Sequence, residues 1–216
     1  NCCKYESSIK LFEYPEITVE VIAGYFQSHK YFHPHHEKLI RNSFTSRSSE
    51  FVGSADSEKK ADYIISNNNG SDYEFVGIHV RHGMDITWHS RNMRHGHISA
   101  PPEYYLNAIA HFKQLMPDKE FIFVVASDDL RWAKLHIASG TKGEIFYLDS
   151  KHREVDLATL AMCNHSIIST GTFSWWSGYL TGGKVVRYSG WPRPDSDLEK
   201  MINIGEYYLP EWSSIE

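Results

Sequence analysis

Three short segments carry side chains suited to holding an anion. His79-Val80-Arg81-His82-Gly83-Met84-Asp85 sets an arginine, two histidines and a carboxylate around one glycine. A guanidinium presents a planar fork of donors and stays charged at any relevant pH, so Arg81 suits a phosphate oxygen, and Gly83 lets backbone come close. A surface ion pair at a strand end would use the same arginine. Ser127-Asp128-Asp129-Leu130 offers two carboxylates, of which one, Asp128, could accept from ribose hydroxyls, while a helix N-cap is the competing use for the pair. Thr170-Gly171-Thr172-Phe173-Ser174 is a glycine- and hydroxyl-rich turn ahead of an apolar run. At a helix N-terminus such a turn brings backbone N–H groups, hydroxyls and the helix dipole to an anion, although capping by Thr172 or Ser174 would explain the same residues. Trp175-Trp176 could wall a sugar, and packing against a sheet is the plainer use for them.

The elements around these segments decide whether they meet. From residue 74 onward, short β-branched and aromatic runs at 75–80, 121–126, 144–148, 166–170 and 184–188 alternate with helix-length segments. The helical stretches are expected at 102–115, 129–137, 156–163 and 174–181, with Asp156 opening the third and Gly182-Gly183 stopping the fourth. Phe121-Ile122-Phe123-Val124-Val125 is apolar without alternation, which suits a strand covered on both faces. Strand-helix-strand alternation with short connections predicts a doubly wound parallel α/β sheet, whose ligands bind beyond the carboxyl ends of the strands. All three segments lie at such ends. The first 72 residues have a different texture. A short helix is expected from Pro34, and the polar stretch 65–72 reads as a loop.

Composition excludes several classes. A net charge of -5 and a pI near 6.2 give no electrostatic case for nucleic acid. No apolar run approaches the roughly 18–20 residues of a membrane span. Three cysteines are too few for a disulfide framework, and Cys163, in an apolar helix, reads as a buried thiol. Neither a phosphate-binding P-loop nor a G-x-G-x-x-G fingerprint nor a G-x-S-x-G elbow is present. His33-x-His35-His36 and His95-x-His97 lack a partner set of metal-ligand spacing, so no metal site is expected. The chain opens at Asn1 without Met, and we expect it to be part of a longer protein with any membrane anchor upstream.

Taken together, the segments resemble the α-1,2-fucosyltransferase family. His79-Val80-Arg81 with Gly83 and Asp85 is similar to the family's H-V-R-R-G-D motif. Asp156-Leu157-Ala158 through Cys163-Asn164-His165 and on to Gly171-Thr172-Phe173 is similar to its D-F-A-L-L-x-x-C-N-H…G-T-F signature. Gly24-Tyr25-Phe26-Gln27-Ser28, Tyr31-Phe32 and Ile40-Arg41-Asn42-Ser43-Phe44 upstream, with Leu209-Pro210-Glu211-Trp212 at the close, fit the same family in order. The resemblance implies a GT-B-like architecture of two domains, with residues 1–72 part of an acceptor-side region and 73–216 a Rossmann-like domain that holds GDP-fucose. It implies an inverting, metal-independent transfer of fucose to the 2-hydroxyl of a terminal galactose on a glycan. GDP-fucose would be the donor substrate, with no cofactor. Arg81 would grip the β-phosphate; His79, Asp128 and Asp156 would lie against guanine or ribose. Asn164, Gly171, Thr172, Phe173 and Ser174 would complete the donor site. Asp85 is the candidate general base, and His82 stands where the motif has its second arginine.

Three departures from the family pattern give a second reading. His82 replaces a permanent positive charge, and Met84 shifts Asp85 by one position. A counterpart of the family's glycine-rich opening segment is absent. A non-catalytic member that still binds nucleotide or glycan would tolerate all of these changes. The resemblance also implies the Golgi lumen, with bacterial cytoplasm as the alternative. Asn69-Gly70-Ser71 is the expected glycosylation site.

Overall fold

The structure is a computed structural model that describes residues 4–5, 26–45, 73–137, 145–150 and 152–216. Six strands form one sheet: β1 (Tyr73–Val80), β2 (Glu120–Ser127), β3 (Ile145–Tyr147), β4 (His165–Ile168), β5 (Val185–Tyr188) and β6 (Ser213–Ile215). They lie in the order β3-β2-β1-β4-β5-β6, and every ladder is parallel. The order reverses between β1 and β4, which makes their carboxyl ends the topological switch point of a doubly wound sheet.

Helices cover both faces. The described helices are α1 (Glu37–Thr45), α2 (Met84–Thr87), α3 (Ser90–His95), α4 (Pro102–Leu115), α5 (Leu130–Ile137), α6 (Arg153–Ala161), α7 (Thr172–Thr181), α8 (Asp197–Met201) and α9 (Ile204–Tyr207). On β1, Val76, Ile78 and Val80 join one apolar cluster with Tyr104, Tyr105 and Phe112 of α4, while Phe75 joins another with Leu160 of α6 and Cys163. Alternate residues of a strand point to opposite faces, so a strand buried on both sides loses the polar alternation of a half-exposed one. That is why β2 reads as an unbroken apolar run. Leu160 is fully buried in the second cluster, and Leu160→Ala would cost about 2–5 kcal/mol through lost contacts and the cavity left behind. Tyr104 ties α4 to the sheet, its hydroxyl lying 2.6 Å from the Ile168 carbonyl and 3.1 Å from that of Val186.

Four of the expected helices and five of the expected strands are present within a few residues, and the doubly wound sheet is as expected. The third helix differs at its start. It begins at Arg153 behind an N-cap at His152, so Asp156 sits inside the first turn and does not open it. The apolar pattern begins only at Val155, and the cap residue makes no side-chain bond that a sequence motif would betray. The expected helix from Pro34 runs instead from Glu37.

Residues 26–45 pack on α7. Phe32 stacks on Trp176 at 5.5 Å between ring centroids and meets Tyr179 edge-on at 5.3 Å. The Arg41 guanidinium lies 4.7 Å from the Tyr179 ring centroid and donates to the Tyr179 carbonyl. Cys2, Cys3, the 65–72 stretch and Asn69 lie outside the described residues.

Candidate functional site

Strand register brings the three anion-suited segments to one rim. In the β1–β2 ladder Val80 is level with Ser127, and in the β1–β4 ladder His79 is level with Ile168. The next residues along each strand are therefore Arg81, Asp128 and Ser169-Thr170, side by side where the order reverses. A cleft of about 480 Å³ opens there. Its walls include His79, Arg81, Asp85, Asp128, Asp156, Thr170, Gly171, Thr172 and Phe173, all from those segments and α6.

The loop after β1 is held by Asp128. Its carboxylate accepts from the backbone N–H of His82 at 2.7 Å and of Gly83 at 3.0 Å, and pairs with the Arg81 guanidinium. Arg81 is clamped from its other side by Asp85. A Cβ on residue 83 would sit 2.6 Å from an Asp128 carboxylate oxygen and 2.9 Å from one of Asp85, so the loop needs glycine for close approach. Asp129, the neighbour, is the N-cap: it accepts from Trp132 N–H at 3.0 Å, and this bond holds its carboxyl below the usual range. Of the two aspartates, Asp129 caps α5, as one of the pair was expected to, and Asp128 holds the loop at the cleft.

The opposite wall is the start of α7. Gly171 is its N-cap at φ 86°, a backbone conformation that side-chain-bearing residues rarely adopt, and no side chain caps the first turn. Ser174 is buried; its hydroxyl accepts from Ser169 N–H at 2.8 Å, while the Ser169 hydroxyl accepts from Arg81 N–H at 3.0 Å. These two bonds fix the end of β1, the end of β4 and the first turn of α7 relative to one another. Ser174 therefore positions the rim from below and is absent from the cleft lining.

His79 forms part of the floor. Its ring is buried and lies 4.6 Å from the Phe173 ring, and its Nδ1 has no hydrogen-bond partner among the described residues. Burial, with the charge of Arg81 second, lowers its pKa to about 3. Burial disfavours the charged ring, and Nδ1 lies beneath the cleft surface without a partner among the described residues. Asp156 reaches the cleft from α6 and accepts from the Ser150 hydroxyl at 2.8 Å.

Besides Ser174, two of the residues expected at the site stand elsewhere. The His82 ring turns away from the cleft, stacked on Trp132 at 4.1 Å with Nδ1 at 3.1 Å from Asp129. Asn164 brackets the opposite end of the sheet: its side-chain oxygen accepts from Phe75 N–H at 2.7 Å, and its own N–H donates to the Phe75 carbonyl at 2.8 Å. Conversely, Ile86, Asn92, His97 and Arg153 line the cleft though none of them was expected there. Burial, helped by the charge of His95, lowers the His97 pKa. Among the described residues no group of three or more His, Cys, Asp or Glu could hold a metal ion, so His95 and His97 have no third ligand partner there. Cys163 is buried, which raises its thiol pKa to about 12.

The chain is thus a doubly wound parallel α/β domain with an arginine and an uncapped helix start across its switch point. The chain belongs to glycosyl transferase family 11, whose model matches residues 6–216. It is similar to galactoside 2-alpha-L-fucosyltransferase Sec1 of Mus musculus, 31% identical over 156 residues that cover 68% of this chain and 40% of that protein. It is also similar to galactoside alpha-(1,2)-fucosyltransferase 1 of Bos taurus, 29% identical over 201 residues, 90% of this chain and 52% of that one. The chain thus spans about half the length, or less, of these curated relatives. Among solved structures, a glycosyl transferase family 9 protein from Veillonella parvula DSM 2008 is a distant likeness, with a TM-score of 0.44 and 14% identity over 75% of this chain and 40% of that one.

Proposed function

We propose that the protein transfers L-fucose from GDP-fucose to the 2-hydroxyl of a terminal galactose on a glycan, with inversion at the sugar carbon. Arg81 at the switch-point cleft, facing the start of α7, is the observation that carries this reading. The names of the similar galactoside fucosyltransferases agree with it.

Residues 73–216 form the donor domain in this reading, and the acceptor-side region belongs largely to the rest of a GT-B-like protein. The diphosphate lies between Arg81 and the N–H groups of Thr172 and Phe173. His79 sets its neutral ring against the nucleoside, and Asp156 accepts from a hydroxyl. As the bond from the sugar carbon to the phosphate oxygen breaks, its electron pair leaves with GDP. Arg81 and the α7 dipole stabilise that growing negative charge more than the ground state, which is what accelerates the step. A cationic grip of this kind makes a bound Mg²⁺ dispensable.

The proton ledger falls to Asp85. Its carboxylate is tied to Arg81. A diphosphate that takes over the guanidinium frees Asp85 at the cleft, where it can accept the proton of the galactose 2-hydroxyl. That oxygen then forms the new bond to the opposite face of the fucose carbon. We place the reaction in the Golgi lumen.

A second reading, binding without transfer, draws on the outward turn of His82, which leaves the loop after β1 with one arginine in the cleft. Incubation with GDP-fucose and a β-galactoside in the presence of EDTA separates the two. Release of GDP with formation of an α-1,2-linked fucoside supports transfer. GDP binding with no product under any metal condition supports the binder.

A further inference from the structure

Resting on the reading of the cleft as a nucleotide-diphosphate donor site, we infer that Arg153 is a second diphosphate-binding residue, supplied by α6 in place of the position that His82 holds in the loop after β1.

Three observations converge on it. First, the residue next to Arg81 contributes nothing to the cleft. The His82 ring is engaged by Trp132 and Asp129 on the far side of the loop. Second, Arg81 is already shared by two carboxylates, Asp85 and Asp128. Third, Arg153 lines the same cleft from the first turn of α6, and no carboxylate, carbonyl or ring among the described residues engages its guanidinium. It is the cation of the lining that stands ready for a ligand.

The charge balance gives this arginine its purpose. The lining sets the carboxylates of Asp85, Asp128 and Asp156 against the guanidiniums of Arg81 and Arg153, while burial keeps His79 neutral. A nucleoside diphosphate sugar brings two further negative charges into that excess of carboxylate. With Arg81 alone the diphosphate would face three carboxylates and one cation; Arg153 cuts that excess of carboxylate from two to one. Arg153 and Asp156 stand three residues apart on α6, on one face of the helix, so one turn presents a donor to phosphate and an acceptor to a hydroxyl. An arginine suits the task because its fork can bond two oxygens at once.

Calorimetric titration of the wild-type protein, Arg153→Ala and Arg153→Lys with GDP, GMP and inorganic pyrophosphate tests the inference. Removal of a charge-assisted contact should weaken GDP and pyrophosphate about tenfold in Arg153→Ala and GMP about threefold or less, with Arg153→Lys between wild type and Ala. The side chain is exposed, so the melting temperature should stay put and unfolding cannot account for the loss. GDP and pyrophosphate affinities in Arg153→Ala within twofold of wild type would overturn the inference while leaving the donor-site reading intact. If the wild type ignores GDP but binds pyrophosphate in an Arg153-dependent way, the inference stands and the guanine-nucleotide assignment falls. If folded wild type binds neither, both fall.

Discussion

The Asp128 carboxylate holds the His82 backbone N–H at 2.7 Å, and through that bond it sets the loop that delivers Arg81 to the cleft. The same carboxylate holds Gly83 N–H and pairs with Arg81 itself. One side chain from the end of β2 thus shapes the turn at the end of β1.

Asp128→Ala should therefore act as a loop mutation more than as the loss of a ribose contact. Leaving two backbone donors without their acceptor costs about 1–3 kcal/mol, toward the low end because the loop is solvated. Asp128→Asn keeps one acceptor oxygen and should fall between. Thermal melts check the stability change, and GDP titration should show weaker binding in the same order. A variant as stable as wild type that lost only its preference for ribose over deoxyribose nucleotides would contradict the positioning role.

Gly171 supplies the second test of the rim. Its φ of 86° places any side-chain-bearing residue in the left-handed region, although the space beside it is open. Gly171→Ala should cost about 1–2 kcal/mol from backbone strain alone, or else shift the first turn of α7. The strain should appear as a lower melting temperature, the shift as weaker GDP binding. A variant that matches wild type in both would mean the turn tolerates another conformation.

His82 offers a contrast. Its ring is packed on Trp132 and bonded to Asp129, outside the cleft. His82→Ala should lower stability by about 1 kcal/mol through lost stacking while leaving GDP affinity within about twofold. His82→Arg should bring no gain in activity, since a guanidinium there would stack on Trp132 and pair with Asp129. A marked rise in transfer in His82→Arg would show instead that position 82 reaches the donor.

Much of this arrangement is legible in the sequence. The apolar runs of β1 and β2 announce strands covered on both faces, and their ends point to Arg81 and Asp128, as the end of β4 points to the Gly171 turn. What was not legible depends on contacts without periodicity. β6 is three residues, Ser213–Ile215, mostly exposed at a sheet edge, too short and polar to form a pattern. The four-residue helix α2 and the six-residue α3 complete too few turns to show an amphipathic stripe. Asn164 falls inside a motif and so suggests a ligand contact, yet it brackets Phe75 at the far end of the sheet. Arg153 and His97 reach the cleft only because α6 and the segment after α3 fold over it, which no local spacing records.

The buried histidine gives a pH signature. The folded-state pKa of His79 is about 3 against 6.5 for an ordinary histidine, so the unfolded chain binds the proton first as pH falls. Stability is then fully present above about pH 6.5 and is lost progressively between pH 6.5 and 3; from pH 7 to 5 the loss from this group is on the order of 2 kcal/mol. Burial lowers the pKa values of His29, His97 and His165 as well, which adds loss of the same sign. Urea denaturation at pH 7 and pH 5 measures it. His79→Phe should flatten part of the slope, and an unchanged slope in that variant would contradict a neutral buried ring.

The central claim is that Arg81 grips the diphosphate of a nucleotide donor at the switch point, and calorimetric GDP binding to wild type and Arg81→Ala tests it most directly. Micromolar-range binding in the wild type that weakens by about tenfold or more in a folded Arg81→Ala is the expected result. GDP affinity unchanged by Arg81→Ala would contradict the claim and send the search for the donor site elsewhere in the molecule.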